Sequence, residues 1–442
     1  MKALILSCNT GGGHNSAARA IAEEMQERGD EAYVLDYLCL AGEGVSRLVG
    51  DGYVQIVKKT PRLFGFFYKL GMIASRLLRK SPVYYINGRM AKYLDGYLRE
   101  HPVDVLIMPH LYPAETITYM KRKGMKLPLT VAVMTDYTCI PFWEETDCDY
   151  YVLPHEALKK SCVRRGIPAE KLLAFGIPVA KSCRRNTSRE QAREKLGLDT
   201  KGRYFLAAGG SMGAGDLSEL VKKLLEGTAQ EKILVICGSN RKAEQKLKKE
   251  FCKQPRVQIL GFTTQMSLYL KACDVLFTKP GGLTSTEAAV TGVPMIHTAP
   301  IPGCETVNRK FFMKAGMSWS AITLNGQVEK GIQLMNDPEA VAQMVSAQKK
   351  QIHGDAVEKL YEFISGEIQK IKQIRKDLDK SEEGCRVLQG MGCVAGCTLK
   401  MPSRSGESIS PLTYASEKPF PTEYVSPLQE PNSRSQSAYH AT

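Results

Sequence analysis

The chain has 442 residues, 43% of them hydrophobic and 24% charged, with a formal net charge of +14. That length exceeds one ordinary core and suits two domains with an appendage, and no run nears the roughly 18 apolar residues of a membrane span. The positive balance points to an anionic partner: nucleic acid, an acidic membrane surface or a phosphorylated ligand.

The chain enters a strand at once, with no basic and apolar leader ahead of it, which predicts a cytoplasmic address. Its thirteen cysteines are scattered, several inside apolar runs where a thiol packs as a small hydrophobe. No paired CxxC occurs, so no zinc or other metal is expected. Strand candidates Ala3–Ser7, Ala32–Leu35, Val103–Met108, Leu129–Thr135 and Tyr151–Pro154 are followed by a second series. That series is Tyr204–Ala208, Ile233–Cys237, Val257–Leu260, Val275–Thr278 and Met295–Thr298. Runs of Val, Ile and Leu without alternation suit parallel strands buried on both faces, and their alternation with helical patterns predicts a doubly wound α/β fold.

Directly after the first strand stands Asn9-Thr10-Gly11-Gly12-Gly13-His14, opening a helix. Glycines let backbone approach an anion, and a helix start offers unpaired N–H groups. The loop matches neither G-x-G-x-x-G, because residue 16 is serine, nor a Walker A loop. A plain strand-to-helix turn with a surface histidine is the alternative.

Next comes a basic and aromatic stretch, Tyr53–Lys80, where Lys58, Lys59, Arg62 and Lys69 interleave with Phe64, Phe66, Phe67 and Tyr68. It reads as an interfacial segment drawn to anionic lipids, or as helices with a solvated basic face. No nucleic-acid-binding signature accompanies it, so nucleic acid is not expected as a partner. Asp147-Cys148-Asp149 matches a metal-binding DxD, but no other motif here needs a metal. A basic run at 181–185, then Thr187 or Ser188 as a helix N-cap, marks a linker near 178–190.

The second series has its own glycine loop, Gly209-Gly210-Ser211-Met212-Gly213, after Tyr204–Ala208. Lys279-Pro280-Gly281-Gly282-Leu283-Thr284-Ser285-Thr286-Glu287 follows the fourth strand of that series. Its hydroxyls and helix start suit a pyrophosphate, and Glu287 could accept from ribose hydroxyls. A capping box, Thr284 with Glu287, fits the same spacing. Pro300–Asn308 could deliver Glu305 and Asn308 to sugar hydroxyls, or be an ordinary loop with a helix cap. Apolar residues from Val357 to Ile374 recur every three or four positions and predict a long amphipathic helix. After about residue 380, Pro, Ser and Gly dominate, and a disordered tail is expected.

In combination, Gly-Gly-Ser-x-Gly-Ala, Lys-Pro-Gly-Gly-Leu-Thr-x-x-Glu and Pro-Gly-x-Glu-x-x-Asn resemble a sugar-nucleotide donor domain. With Asn-Thr-Gly-Gly-Gly-His they make the chain similar to the diacylglycerol glycosyltransferases over roughly residues 1–375. That group includes the monogalactosyldiacylglycerol synthases and processive diacylglycerol glucosyltransferases, and is related to the peptidoglycan lipid-intermediate N-acetylglucosaminyltransferase. The resemblance implies two Rossmann-like domains facing a cleft, the GT-B arrangement. Residues 1–178 would bind acceptor and membrane, 179–340 would bind a UDP-sugar, 341–378 would be C-terminal helices packing back on the first domain, and 379–442 the tail.

The resemblance further implies an inverting hexosyltransferase acting on diacylglycerol at the cytoplasmic membrane face, with no cofactor beyond its UDP-sugar donor. His14 would be the base, with Asp136 competing for that role or orienting it. Gly210, Ser211, Met212, Gly213, Gly281, Gly282, Leu283 and Thr284 would hold the diphosphate, Gly13 would also line the donor site, and helix N-termini with Lys279 would stabilise the leaving UDP. Glu287 would bind ribose and Phe262 the uracil; Gly238, Ser239 and Asn240 would line the donor side, and Glu305 with Asn308 would read the sugar. Trp143 would join the basic stretch on the acceptor side. This chain departs from the pattern in lacking the histidine that the family commonly places between Asp136 and Trp143. A polyprenyl-linked acceptor, a non-catalytic regulator that binds nucleotide-sugar or lipid, and a UDP-hexose epimerase are the competing readings.

Overall fold

The computed structural model describes residues 1–8, 12–46, 48, 49, 71, 80–209, 217–298 and 300–390. Two six-stranded parallel sheets organise them. The first is built from β1 (Lys2–Ser7), β2 (Glu31–Asp36), β3 (Val105–Met108), β4 (Leu129–Val133), β5 (Tyr150–Val152) and β6 (Leu172–Leu173). The second is built from β7 (Tyr204–Ala208), β8 (Lys232–Ile236), β9 (Val257–Leu260), β10 (Val275–Thr278), β11 (Met295–His297) and β12 (Trp319–Ser320).

Strand order is 2-1-3-4-5-6 in the first sheet and 12-11-10-7-8-9 in the second. In each sheet the chain leaves its first strand on one side and later returns on the other. A crevice therefore opens at the carboxyl ends of β1 and β3, and of β7 and β10, and open α/β sheets bind ligands at such points. The doubly wound fold predicted from the sequence is the fold observed. Ten strands lie where the apolar runs predict them, within a residue or two at the ends. The additional pair, β6 and β12, are two residues each.

Helix α1 (Gly12–Glu27) follows β1, and α2 (Leu111–Arg122) follows β3. In the second half, α3 (Gly282–Thr291) follows β10 and α4 (Cys304–Lys314) follows β11. Both faces of each sheet are covered. Leu4, Leu6, Leu106 and Met108 pack one way from the first sheet, and Ala3, Ile5, Val105 and Ile107 the other. Leu206, Leu234 and Leu276 face one core of the second sheet, and Phe205, Ile233 and Phe277 the opposite one.

The final helix, α5 (Ala356–Gly390), crosses back to the first sheet, burying Leu360, Ile364 and Ile368 against Ala3, Ile5 and Val131. Tyr361 Oη donates to Asp30 Oδ2 at 2.8 Å, and Tyr150 Oη to Glu367 Oε2 at 2.9 Å. The helix runs to Gly390, past the point where the tail was expected to begin. The helix formers among residues 379–390 carry it on despite Gly384. Ser188, rather than Thr187, caps the helix Arg189–Lys195, in a reciprocal capping box with Gln191. The linker before it contains a short helix, Lys181–Arg184. Among the described residues no helix is long and apolar enough to cross a membrane.

Candidate functional site

A cavity of about 300 Å³ lies between the two sheets. One face of α1 lines it with Gly12, Gly13, Ser16 and Arg19, positions that recur at helical spacing. The start of α3 lies opposite, with Gly281, Gly282, Leu283, Thr284 and Glu287. His14, Asp136, Gly238, Phe262, Lys279, Cys304 and Glu305 complete much of the wall. The sequence-predicted residues Gly210, Ser211, Met212 and Gly213 lie outside the described residues. So do Lys58, Lys59, Arg62, Phe64, Phe66, Phe67, Tyr68 and Lys69.

Gly281 caps α3 without a side-chain hydrogen bond, so Thr284 is not the N-cap and the capping box does not form. Glu287 is left to face the cavity. The first N–H groups of α3, free of a capping side chain, make a ready anion site. The helix approaches the first domain so closely that a Cβ on Gly282 would sit 1.8 Å from the carbonyl oxygen of Thr135. Only glycine fits there.

His14 is fixed from both domain-one loops. Its Nδ1 lies 2.7 Å from the carbonyl oxygen of Pro109 and 3.1 Å from Thr135 Oγ1. A carbonyl only accepts, so Nδ1 carries the proton and Nε2 keeps its lone pair. Burial lowers the pKa of His14 below its ordinary value, against the pull of the Asp136 carboxylate and the Pro109 carbonyl. The ring is therefore neutral at pH 7, as a base must be. His110 packs edge-on against it with centroids 4.6 Å apart, and its own pKa is pushed well down by burial and by His14. Pro109 and Thr135 hold the His14 ring by these contacts, and the Asp136 carboxylate acts on it electrostatically.

Several expected roles change. Asn308, expected to read the sugar, is fully buried with its amide engaged by protein groups: its Oδ1 accepts from Tyr137 N at 2.8 Å, and its Nδ2 donates to Asp136 Oδ1 at 2.8 Å and to Pro280 O at 3.1 Å. Trp143, expected on the acceptor side, is 3% exposed and packed in the first core at right angles to Tyr151. Its indole is simply too large and apolar to leave in water there. Asn240 caps the helix Arg241–Glu250 by accepting from Ala243 N at 3.1 Å, with Ser239 in the turn before it. Of that trio, Gly238 lines the cavity.

Lys279 and Glu305 form an ion pair of 3.2 Å at the cavity wall, and Glu305 Oε2 also accepts from Ile301 N at 2.7 Å. Lys279 thus balances a carboxylate rather than standing free. Glu287 is pushed up to about 7 by burial, with Arg19 pulling it back down. The Cys304 thiol is held well above its ordinary value by burial and by the Asp136 carboxylate, and so stays protonated. Asp147 and Asp149 are spent on Lys171 at 2.8 Å and Lys121 at 2.7 Å, which removes the DxD reading.

The sequence reading missed Arg19, His110, Tyr137 and Cys304. Arg19 had a legible signal, since it shares a helical face with Gly12 and Ser16. His110 and Tyr137 had none, because their importance comes from tertiary neighbours.

The chain matches the model of the monogalactosyldiacylglycerol (MGDG) synthase family over residues 14–179. It matches the glycosyltransferase family 28 C-terminal domain over residues 205–360. It is 29% identical over 357 residues to a processive diacylglycerol beta-glucosyltransferase of Bacillus pumilus, covering 79% of this chain and 90% of that one. It is 28% identical over 335 residues to monogalactosyldiacylglycerol synthase 1, chloroplastic, of Arabidopsis thaliana, covering 71% of this chain and 61% of that one. MurG of Acinetobacter baumannii has a similar structure, with a TM-score of 0.54 and 16% identity over 83% of this chain and 99% of that one. UDP-GlcNAc 2-epimerase of Neisseria meningitidis gives 0.52 and 13%, over 82% and 99%. At such identities the likeness shows the fold alone, two Rossmann-like domains of GT-B type.

Proposed function

This chain is a glycosyltransferase that joins a monogalactosyldiacylglycerol synthase domain to a glycosyltransferase family 28 C-terminal domain, and from that premise we propose that it transfers a hexose from a UDP-sugar to diacylglycerol with inversion. The observation that carries this reading is His14, neutral and with Nε2 unprotonated, at the wall of a cavity shared with the start of α3.

A lipid hydroxyl is a weak nucleophile at neutral pH. His14 Nε2 takes its proton as the hydroxyl oxygen bonds to the anomeric carbon. The bond from that carbon to the phosphate oxygen breaks, and the electron pair leaves with UDP. Attack from the face opposite the leaving group inverts the anomeric centre. Charge on the departing diphosphate is met by the N–H groups opening α3 and by Arg19 on α1. Ribose hydroxyls suit Glu287, and Phe262, 49% exposed at the rim, offers a face to the uracil.

A peripheral site at the cytoplasmic membrane face suits the substrate. Tyr85 and Ile86 are 58% and 64% exposed on the helix Pro82–Gly88, between exposed Lys80 and Lys92 in the chain, and exposed apolar and cationic groups in one segment suit anionic lipids. The chemistry described here needs no cofactor besides the donor.

The test incubates the full chain with diacylglycerol vesicles and, separately, UDP-glucose, UDP-galactose or UDP-N-acetylglucosamine, and follows UDP release and glycolipid formation. One donor should give glycolipid that depends on His14. Turnover only with polyprenyl-linked acceptors, donor epimerisation without transfer, or binding without turnover would each overturn the reading.

A further inference from the structure

Three consecutive residues after β4 each hold a different part of the cleft. Thr135 Oγ1 lies 3.1 Å from His14 Nδ1. Asp136 Oδ1 accepts from Asn308 Nδ2, and the Tyr137 N–H donates to Asn308 Oδ1, both at 2.8 Å. Asn308 belongs to α4 of the other domain, and its second amide proton goes to Pro280 O at 3.1 Å. One amide proton and the oxygen of this buried side chain thus reach across the boundary, while the other proton stays within its own domain.

Tyr137 leaves its own domain altogether. Its ring is 3% exposed within the core of the second sheet, stacked on Phe311 at 4.6 Å and 22°, and edge-on to Phe312 at 4.9 Å. Its hydroxyl lies 2.7 Å from Thr286 Oγ1. Thr286 gives its own proton to Gly282 O at 2.7 Å, so Tyr137 is the donor in that pair.

We propose that Asn308 and Tyr137 form an inter-domain latch, positioning residues that orient Asp136 and seat the Thr135 loop against His14 only when the two domains are closed. The inference rests on the reading of His14 as the base, and adds that Asp136, on the same cavity wall, faces the reacting centre beside it. Asp136 stands on a loop, and Asn308 is the donor that selects its rotamer. When the domains part, Asn308 and Pro280 withdraw together, the carboxylate loses that donor, and Tyr137 leaves its slot. Closure and assembly of the reacting groups then become one event. Water reaching an open cleft meets a donor sugar without a complete set of catalytic groups, so hydrolysis is suppressed.

The test uses the full chain with four variants: Asn308→Ala, Tyr137→Phe, Asp136→Ala and Asn308→Ala/Asp136→Ala. The latch predicts that Asn308→Ala lowers kcat about tenfold or more, in line with the cost of small misplacements, while the UDP dissociation constant by calorimetry stays within about twofold of wild type. Tyr137→Phe, which keeps the ring and its stacking, tests the same point if Asn308→Ala does not fold. It should lower kcat severalfold with UDP affinity and Tm held. The double variant should be no slower than Asp136→Ala alone. A rise in UDP-sugar KM with kcat intact would make Asn308 a sugar contact and overturn the latch. So would an Asn308→Ala loss that persists in full in the Asp136→Ala background. Wild-type turnover in Asp136→Ala overturns the reading of Asp136, and the latch with it.

Discussion

The ring nitrogen Nδ1 of His14 lies 2.7 Å from the carbonyl oxygen of Pro109, and this contact decides which nitrogen can act. It spans the two loops at the carboxyl ends of β1 and β3, so the topology of the first sheet fixes the tautomer. With Nδ1 protonated, Nε2 is the only basic position of the ring.

Replacement of His14 by Ala should therefore lower kcat by roughly 10²- to 10⁴-fold, the usual share of a general base. Donor KM should change little, because the ring is not needed to hold UDP. Burial keeps the histidine pKa below its ordinary value, so the base stays neutral as pH falls to and somewhat below about 6.5. The acid limb of the kcat profile should lie below that value in the wild type and be lost in the variant. Steady-state kinetics across pH checks both. An acid limb well above it would place the essential base elsewhere.

Glu287 gives a second pH signature, from a pKa shifted in the opposite direction. Burial pushes its carboxyl up to about 7, with Arg19 opposing. A raised pKa leaves the group protonated below that value and ionised above it. The ionised form accepts from two ribose hydroxyls, whereas the acid spends one oxygen as a donor. UDP affinity should improve as pH rises through about 7, and binding near neutrality should release a proton, seen as a buffer-dependent enthalpy. Glu287→Gln should remove the pH dependence and weaken UDP roughly 10- to 100-fold, the worth of hydrogen bonds to a charged acceptor.

Trp143 separates stability from membrane binding. It is packed against Tyr151 in the first core, so Trp143→Ala leaves a large void. A loss of about 3–5 kcal/mol is expected in denaturant unfolding. Whatever folded protein remains should sediment with anionic vesicles as the wild type does. Selective loss of vesicle binding, with stability intact, would return Trp143 to the surface role the sequence suggested.

The fold was legible because parallel strands buried on both faces leave unbroken Val, Ile and Leu runs, as in β1 and β7. β6 and β12 escaped because two residues make no pattern. The glycine turn at Gly281–Gly282 and the base candidate His14 were legible from spacing and residue type. Asn308 was not, because an amide that clamps a boundary and one that reads a sugar look alike in sequence. The burial of Trp143 was not legible for a related reason: it is decided by neighbours in the tertiary fold such as Tyr151. Tyr137 occupies the stretch where the expected histidine is missing, and its value comes from Phe311 and Thr286, more than a hundred residues away.

Gly282 offers the sharpest test of the closed cleft. Gly282 is not among the glycines with positive φ, so Gly282→Ala strains no dihedral of its own, and any fall in Tm measures the packing lost at the domain boundary. The added Cβ would nevertheless meet the Thr135 carbonyl oxygen at 1.8 Å and Asp136 Cα at 3.3 Å. The first partner is backbone, not the end of a flexible chain, so the helix and the loop must separate by more than an ångström. A displacement of that size at a reacting centre costs on the order of 10²-fold in rate. Gly282→Ala should thus fold, with a lowered Tm and kcat reduced about that much, and small-angle scattering should show a wider molecule in the presence of UDP. Full activity in this variant would mean that Thr135 and α3 do not meet when the reaction occurs.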